Sequence, residues 1–216
     1  MSTRPAAGGW ALRAHAACDW LFWVFTVNAL WYLFTLAGAV VLGAAPASVA
    51  VAELTRRRLR GEAFPAVRAF AAAWRREFWR ANAVLAPVLL IGAILAVNAI
   101  GLAGAGALVS APGIVTLAAL VLVYALLAVV LPLYAHYDLP LRAYVLTASR
   151  WMLRNLVHAL LLVLAGVVVV TASMILPGII PFLSLGAWLT IDTALCLAFF
   201  VANDRHLAAS VPVAVG

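Results

Sequence analysis

Five stretches of the chain, roughly 20–43, 83–108, 113–137, 155–176 and 180–203, each run for about twenty or more mainly apolar residues. Rising about 1.5 Å per residue as a helix, each is long enough to cross the ~30 Å hydrocarbon core of a bilayer. In lipid every backbone N–H and C=O needs a partner within the chain, so a long apolar run has to be a helix. No segment alternates apolar and polar residues as a barrel strand does. The fold class expected is all-α: one polytopic membrane domain over 1–216, with five transmembrane helices and two or three amphipathic cytoplasmic or interfacial helices. Composition agrees, at 68% hydrophobic and 10% charged residues with a mean hydropathy of +1.14. A soluble domain of this length has nowhere to bury that much apolar surface. Pro112-Gly113 and Pro177-Gly178 supply tight uncharged turns between spans two and three and between four and five.

The arginines give the spans a direction. All 14 basic side chains are Arg. Arg56, Arg57, Arg58, Arg60, Arg68, Arg75, Arg76 and Arg80 lie between spans one and two. Arg142, Arg150 and Arg154 lie between spans three and four, and Arg205 follows span five. Only Arg4 and Arg13 precede span one. The positive-inside rule places both long segments, 45–82 and 138–154, and the C-terminus in the cytoplasm. Five spans then leave the N-terminus outside. Residues 38–59 are the weak point: a break of the first helix at Gly43 and Pro46, with 45–59 dipping into the membrane, permits an inside N-terminus instead. Span one is too long for the core of a cleaved signal peptide, so an uncleaved helix is expected. The net charge of +7 reads as this topology plus attraction to anionic lipid, with no nucleic-acid motif beside it. Cys18 and Cys196 are expected on the order of 20 Å apart in depth, too far for a disulfide.

Two basic segments are amphipathic. At ~100° per residue, Val67, Phe70, Ala71, Trp74, Phe78 and Ala81 share one side of 64–82, with Arg68, Arg75, Arg76 and Arg80 opposite. In 139–154, Leu141, Tyr144, Val145, Ala148, Trp151 and Met152 oppose Arg142, Arg150 and Arg154. Each segment runs through an Arg and an Asn, Asn82 or Asn155, into a span, a pattern that suggests an internal repeat. Helices of this kind suit the headgroup boundary or a cytoplasmic partner. The candidates for docking lipid or partner are Arg56, Arg57, Arg58, Trp74, Arg75, Arg76, Phe78, Arg150 and Trp151. Glu53 and Arg57 are an i,i+4 pair.

The stretch 28–82 carries a resemblance. Asn28-Ala-Leu-Trp31 is followed by Gly43-Ala-Ala-Pro46-Ala47, an Ala-rich helix ending in arginines, Gly61-Glu62, and a segment with Phe70, Phe78 and Asn82. Asp19 precedes it. This resembles the YesL family of small bacterial membrane proteins, a domain of unknown function. Two features depart from that pattern: Val-Leu-Gly43 stands where the family has Thr-Ile-Gly, and the basic helix is Arg-rich and not Lys-rich. The resemblance implies an accessory role beside sugar ABC transporters, because such proteins often accompany genes for these and for polysaccharide-degrading enzymes.

The chain carries no phosphate-binding glycine loop, no His-Glu-x-x-His and no Cys-x-x-Cys. Neither enzyme chemistry nor a cofactor or metal is expected. The intramembrane polar residues are better leads. Asp192 falls near the midplane of span five between Thr190 and Thr193, where a charge costs at least ~2.5–3.5 kcal/mol. Its structural partners are expected to be Asn28, Asn98 or a Thr; its functional use would be coupling or substrate recognition. His136 and Asp138 form a possible proton-sensitive pair at the end of span three. The leading expectation is a non-enzymatic membrane accessory protein or subunit, associated with carbohydrate ABC transport. The alternatives are a small oligomeric secondary transporter using Asp192, and an intramembrane enzyme acting on a lipid.

Overall fold

The computed structural model describes residues 8–210. Arg4 lies outside them. Seven α-helices follow one another: α1 Gly8–Ala37, α2 Val41–Leu59, α3 Ala66–Gly104, α4 Ala111–His136, α5 Ala143–Arg154, α6 Leu156–Ile175 and α7 Leu185–Ser210. No strand occurs among the described residues. Helices α1, α3, α4, α6 and the segment Pro181–Arg205 are long and apolar enough to cross a membrane. The chain is an all-α, multi-pass membrane protein. Its lipid-facing surface is what such a protein needs: Leu160, Leu164, Val168, Ile94 and Val97 stand exposed on α6 and α3.

The first apolar run does not stay one helix to residue 43. It ends at Ala37, and the chain turns through Ala39 (φ 55°) and Val40 (φ 65°). Left-handed backbone is costly for a β-branched residue, so packing must hold it there. Two glycines do so. A Cβ on Gly38 would overlap the Gly43 backbone, and one on Gly43 would overlap the Thr35 backbone. Gly43 and Pro46, read as possible breakers, both lie inside α2. Residues 35 and 43, 31 and 48, and 19 and 58 are in contact. Each pair sums to nearly the same number, so α1 and α2 are an antiparallel hairpin. Helix α2 therefore returns to the end from which α1 sets out.

Helix α2 was expected within a cytoplasmic segment; it forms the centre of the bundle. Val49, Val51, Ala52 and Leu54 are buried where α2 meets α1, α3, α4 and α7. Its alanines let four neighbours approach closely.

From Ala66 on, the amphipathic segment 64–82 is the first part of α3, continuous with its span. Its buried stripe is Phe70, Ala73, Glu77 and Ala81, continuing through Val84, Leu85 and Val88, and it packs on α2. The predicted apolar face is thus taken up by protein, with Val67 left exposed. Trp74 and Phe78 are half-buried; Trp74 packs against Phe34 and Phe78 packs against Trp74. Helix α5 likewise buries Tyr144 and Ala148 against α4. The two asparagines of the suggested repeat share a local bond. Asn82 Nδ2 donates to Phe78 O (2.8 Å) and Asn155 Nδ2 to Trp151 O (3.0 Å), each four residues back. At Asn82 the helix continues; at Asn155 it breaks.

Before α7 the chain makes a 3₁₀ turn, Pro177–Ile179, and a π turn, Ile180–Ser184. Asn28 clamps this joint. Its Nδ2 donates to Pro181 O (2.7 Å), and its Oδ1 accepts from the Gly186 N–H (2.9 Å).

Candidate functional site at the arginine-bearing end

The ends of α2, α3, α4, α5 and α7 converge, and they carry most of the ionic groups. Glu77 is nearly buried on the apolar stripe of α3. Its carboxylate accepts from Arg76 Nε (2.8 Å) and from the Tyr134 hydroxyl (2.8 Å) on α4. Arg76 also reaches Glu53 on α2, so one guanidinium ties α3 to α2. Arg80 approaches Asp138 at 3.3 Å. The Tyr144 hydroxyl accepts from the Leu139 N–H and donates to Tyr137 O, fixing the α4–α5 link. The Tyr137 hydroxyl donates to Asp204 on α7 at 2.9 Å. Burial, and then that bond, push its pKa up to about 12, so it stays a donor. Between these groups lies a cavity of about 270 Å³, lined by Arg56, Glu77, Arg80, Tyr134, His136 and Tyr144 among others. A buried carboxylate with two donors is costly to form and costly to break, which makes the cluster a rigid one.

The residues singled out from sequence divide between this cluster, the core and the open surface. Arg58 pairs with Asp19 and lies over the Trp23 ring at 4.8 Å. Arg57 pairs with Glu62 at 2.8 Å and not with Glu53. Arg75 and Arg150 are exposed. Trp151 packs against Phe199, Phe200 and His158. His136 and Asp138 do not pair: His136 faces Asp204 at 3.6 Å, while Asp138 takes Arg80. Asn98 Nδ2 donates to Thr116 Oγ1 (2.9 Å), joining α3 to α4. Asp192 meets neither asparagine. Its Oδ2 lies 3.4 Å from the Tyr124 hydroxyl, which also approaches Leu162 O at 3.3 Å. Asp192 Oδ1 is buried with no hydrogen-bond partner. Gly166 makes room for Tyr124, because a Cβ there would overlap its hydroxyl. Cys18 is exposed and Cys196 buried, both free.

Glu77, Tyr134, Tyr124 and Asp204 escaped the reading of the sequence. Glu77 had left a sign: an acid at position 77 of the spacing 70, 73, 77, 81 interrupts an otherwise apolar stripe.

Over 171 residues the chain is 33% identical to "Uncharacterized protein YesV" of Bacillus subtilis (strain 168), covering 78% of this chain and 82% of that one. Residues 24–99 match the family described as "Protein of unknown function, DUF624". The chain belongs to this YesL-like DUF624 family. It is also 28% identical to "Uncharacterized protein YteU" of the same organism over 168 residues, 77% of this chain and 76% of that one. With "Uncharacterized protein YesL" it shares 33% identity over 78 residues, 36% of this chain and 37% of that one. No solved structure matches the chain. In this DUF624 protein the matched region runs from the middle of α1 through α2 and most of α3. It holds Asn28, the Gly38–Gly43 turn and the Glu53–Arg76–Glu77 cluster.

Proposed function

We propose that this DUF624 protein is a non-enzymatic accessory subunit of the bacterial plasma membrane that docks, through its arginine-bearing end in the cytoplasm, on components of a carbohydrate ABC transporter. The observation that carries this reading is a ridge on the first half of α3. Arg68, Ala72, Arg75 and Trp79 follow one another at spacings of four, three and four, and all are exposed. Trp79 is 75% exposed. Arginine and tryptophan are the side chains that most often dominate protein interfaces. The ion pairs behind the ridge hold it on a rigid base, so docking costs little ordering. The sugar-transport partner rests on the family resemblance alone.

The arginine excess supports a cytoplasmic location for this end. The N-terminus belongs, in this reading, on the same side. An odd count of five spans led to an outside N-terminus; the α1–α2 hairpin and the Asp19–Arg58 pair favour the inside alternative. A tagged chain, purified from its native membrane without crosslinker, should bring a permease or ATPase subunit with it. The double variant R75A/W79A should lose that partner while keeping its melting temperature. Recovery of the wild type only as a homo-oligomer would support the second reading, a small transporter. That reading draws on the buried, unpartnered Oδ1 of Asp192.

A further inference from the structure

A second cavity, about 470 Å³, opens between the C-terminal turns of α2 and α7 and the end of α4. Arg56, Arg60, Arg205 and His136 line it, and no carboxylate does. This sets it apart from the rest of the arginine-bearing end. Arg57, Arg58, Arg76 and Arg80 each have a carboxylate partner. Arg56, Arg60 and Arg205 make no ion pair among the described residues, yet they come from two helices to one opening. Arg56 Nε and His136 Nδ1 are buried without hydrogen-bond partners. Burial, and then the Arg60 charge, lower the Arg56 pKa despite Glu53 and Glu62 nearby. An anion between the two guanidiniums would relieve that repulsion and fill the missing bonds.

The remaining wall is apolar. Ala194, Ala198 and Ala202 repeat every four residues along one face of α7, beside Leu197 and Val201. Small side chains in a row leave a shallow track at the surface of a spanning helix. The opening thus joins a cationic mouth, at the end of the bundle where headgroups lie, to an apolar strip leading toward the hydrocarbon. A soluble anion would use the mouth and leave the strip bare; a lipid uses both.

We propose that this cavity is a binding site for one anionic phospholipid, its phosphate held by Arg56, Arg60 and Arg205 and an acyl chain lying along the Ala194–Ala198–Ala202 face. Basic pockets between helix ends on the cytoplasmic side are suited to such headgroups. The site is independent of the docking ridge on α3.

Native mass spectrometry tests it on the full chain, purified in mild detergent and mixed with equal amounts of phosphatidylglycerol and phosphatidylcholine bearing the same acyl chains. One phosphatidylglycerol should be retained about tenfold over phosphatidylcholine. In R56Q/R60Q/R205Q that preference should vanish. In R13Q/R142Q/R154Q, with the same loss of charge elsewhere, it should remain. Ala198→Leu fills the track without touching a charge; it should lower retention severalfold, and it carries the test if the triple arginine variant fails to fold. Equal retention of the two lipids by the wild type, or equal loss in both arginine triples, overturns the proposal. Displacement of the lipid by millimolar inorganic phosphate would make the mouth a site for soluble anions and overturn the lipid assignment.

Discussion

A proline inside a helix leaves the carbonyl four residues before it without a backbone donor. In two places here a side chain from another helix supplies the donor. Pro46 frees Leu42 O, and Asn82 Nδ2 on α3 donates to it at 2.8 Å. Pro132 frees Ala128 O, and the Cys196 thiol on α7 donates to it at 3.4 Å. Asn82→Leu should therefore leave the Leu42 carbonyl without its donor and cost about 1–3 kcal/mol. Restoring the backbone donor with Pro46→Ala should recover part of that loss in the double variant, a non-additivity that thermal unfolding in detergent would read. Simple addition of the two single effects would mean that Asn82 acts only through Phe78 O. Asp192 follows similar accounting. Without it, the Tyr124 hydroxyl still has Leu162 O to bond. Asp192→Asn and Asp192→Leu should both fold, with melting temperatures near the wild type or above it, because little is left unpaired. A growth or transport defect in these stable variants would assign the carboxylate a working role; wild-type behaviour would remove it from consideration.

Helix α3 shows how an element can be amphipathic for a protein partner and not for lipid. Its residues 66–82 carry Phe70 and Ala73 inward and Arg68, Ala72, Arg75 and Trp79 outward. Spin labels at 68, 72 and 79 should be reached by a water-soluble relaxation agent, and a label at 73 should be reached by neither water-soluble nor lipid-soluble agents. The double variant W74S/F78S should lower thermal stability, since it removes the packing against Phe34; freeing the segment from lipid with no change in stability would contradict this. The spans themselves were legible in the sequence because bilayer thickness imposes a length that apolar runs display directly. Helix α2 was not. Ala-rich and ending in arginines, it has the composition of a surface helix, and only its four neighbours reveal it as core. The turn at Ala39 and Val40 was signalled only by Gly43 beside it, and its exact place was not, since the glycines that dictate it act by letting two backbones touch. The ionic site was half legible: the arginines announced themselves, but Glu77–Tyr134 and His136–Asp204 join residues 57 and 68 positions apart.

At the scale of the whole molecule the hairpin decides the topology. Residues 19 and 58 meet at one end of the bundle, and α4 and α7 both run toward that end, where His136 faces Asp204. The opposite end holds the α3–α4 connection, with Val109 86% exposed. These placements turn the native cysteines into reporters. Cys18 is exposed, just before Asp19, while Cys196 is buried. In intact cells an impermeant maleimide should leave the wild-type chain unlabelled, because Cys18 then faces the cytoplasm with the arginines. Opening the cells should expose it. In a C18S background, V109C should label from outside and A63C only after the cells are opened. Labelling of Cys18 from outside, with A63C protected, would place the two ends of the α1–α2 hairpin on opposite sides of the membrane. Asp19 and Arg58 lie too close together to allow that, so the pair itself would have to be given up. The hairpin would go with it, and the outside N-terminus that five simple crossings imply would stand.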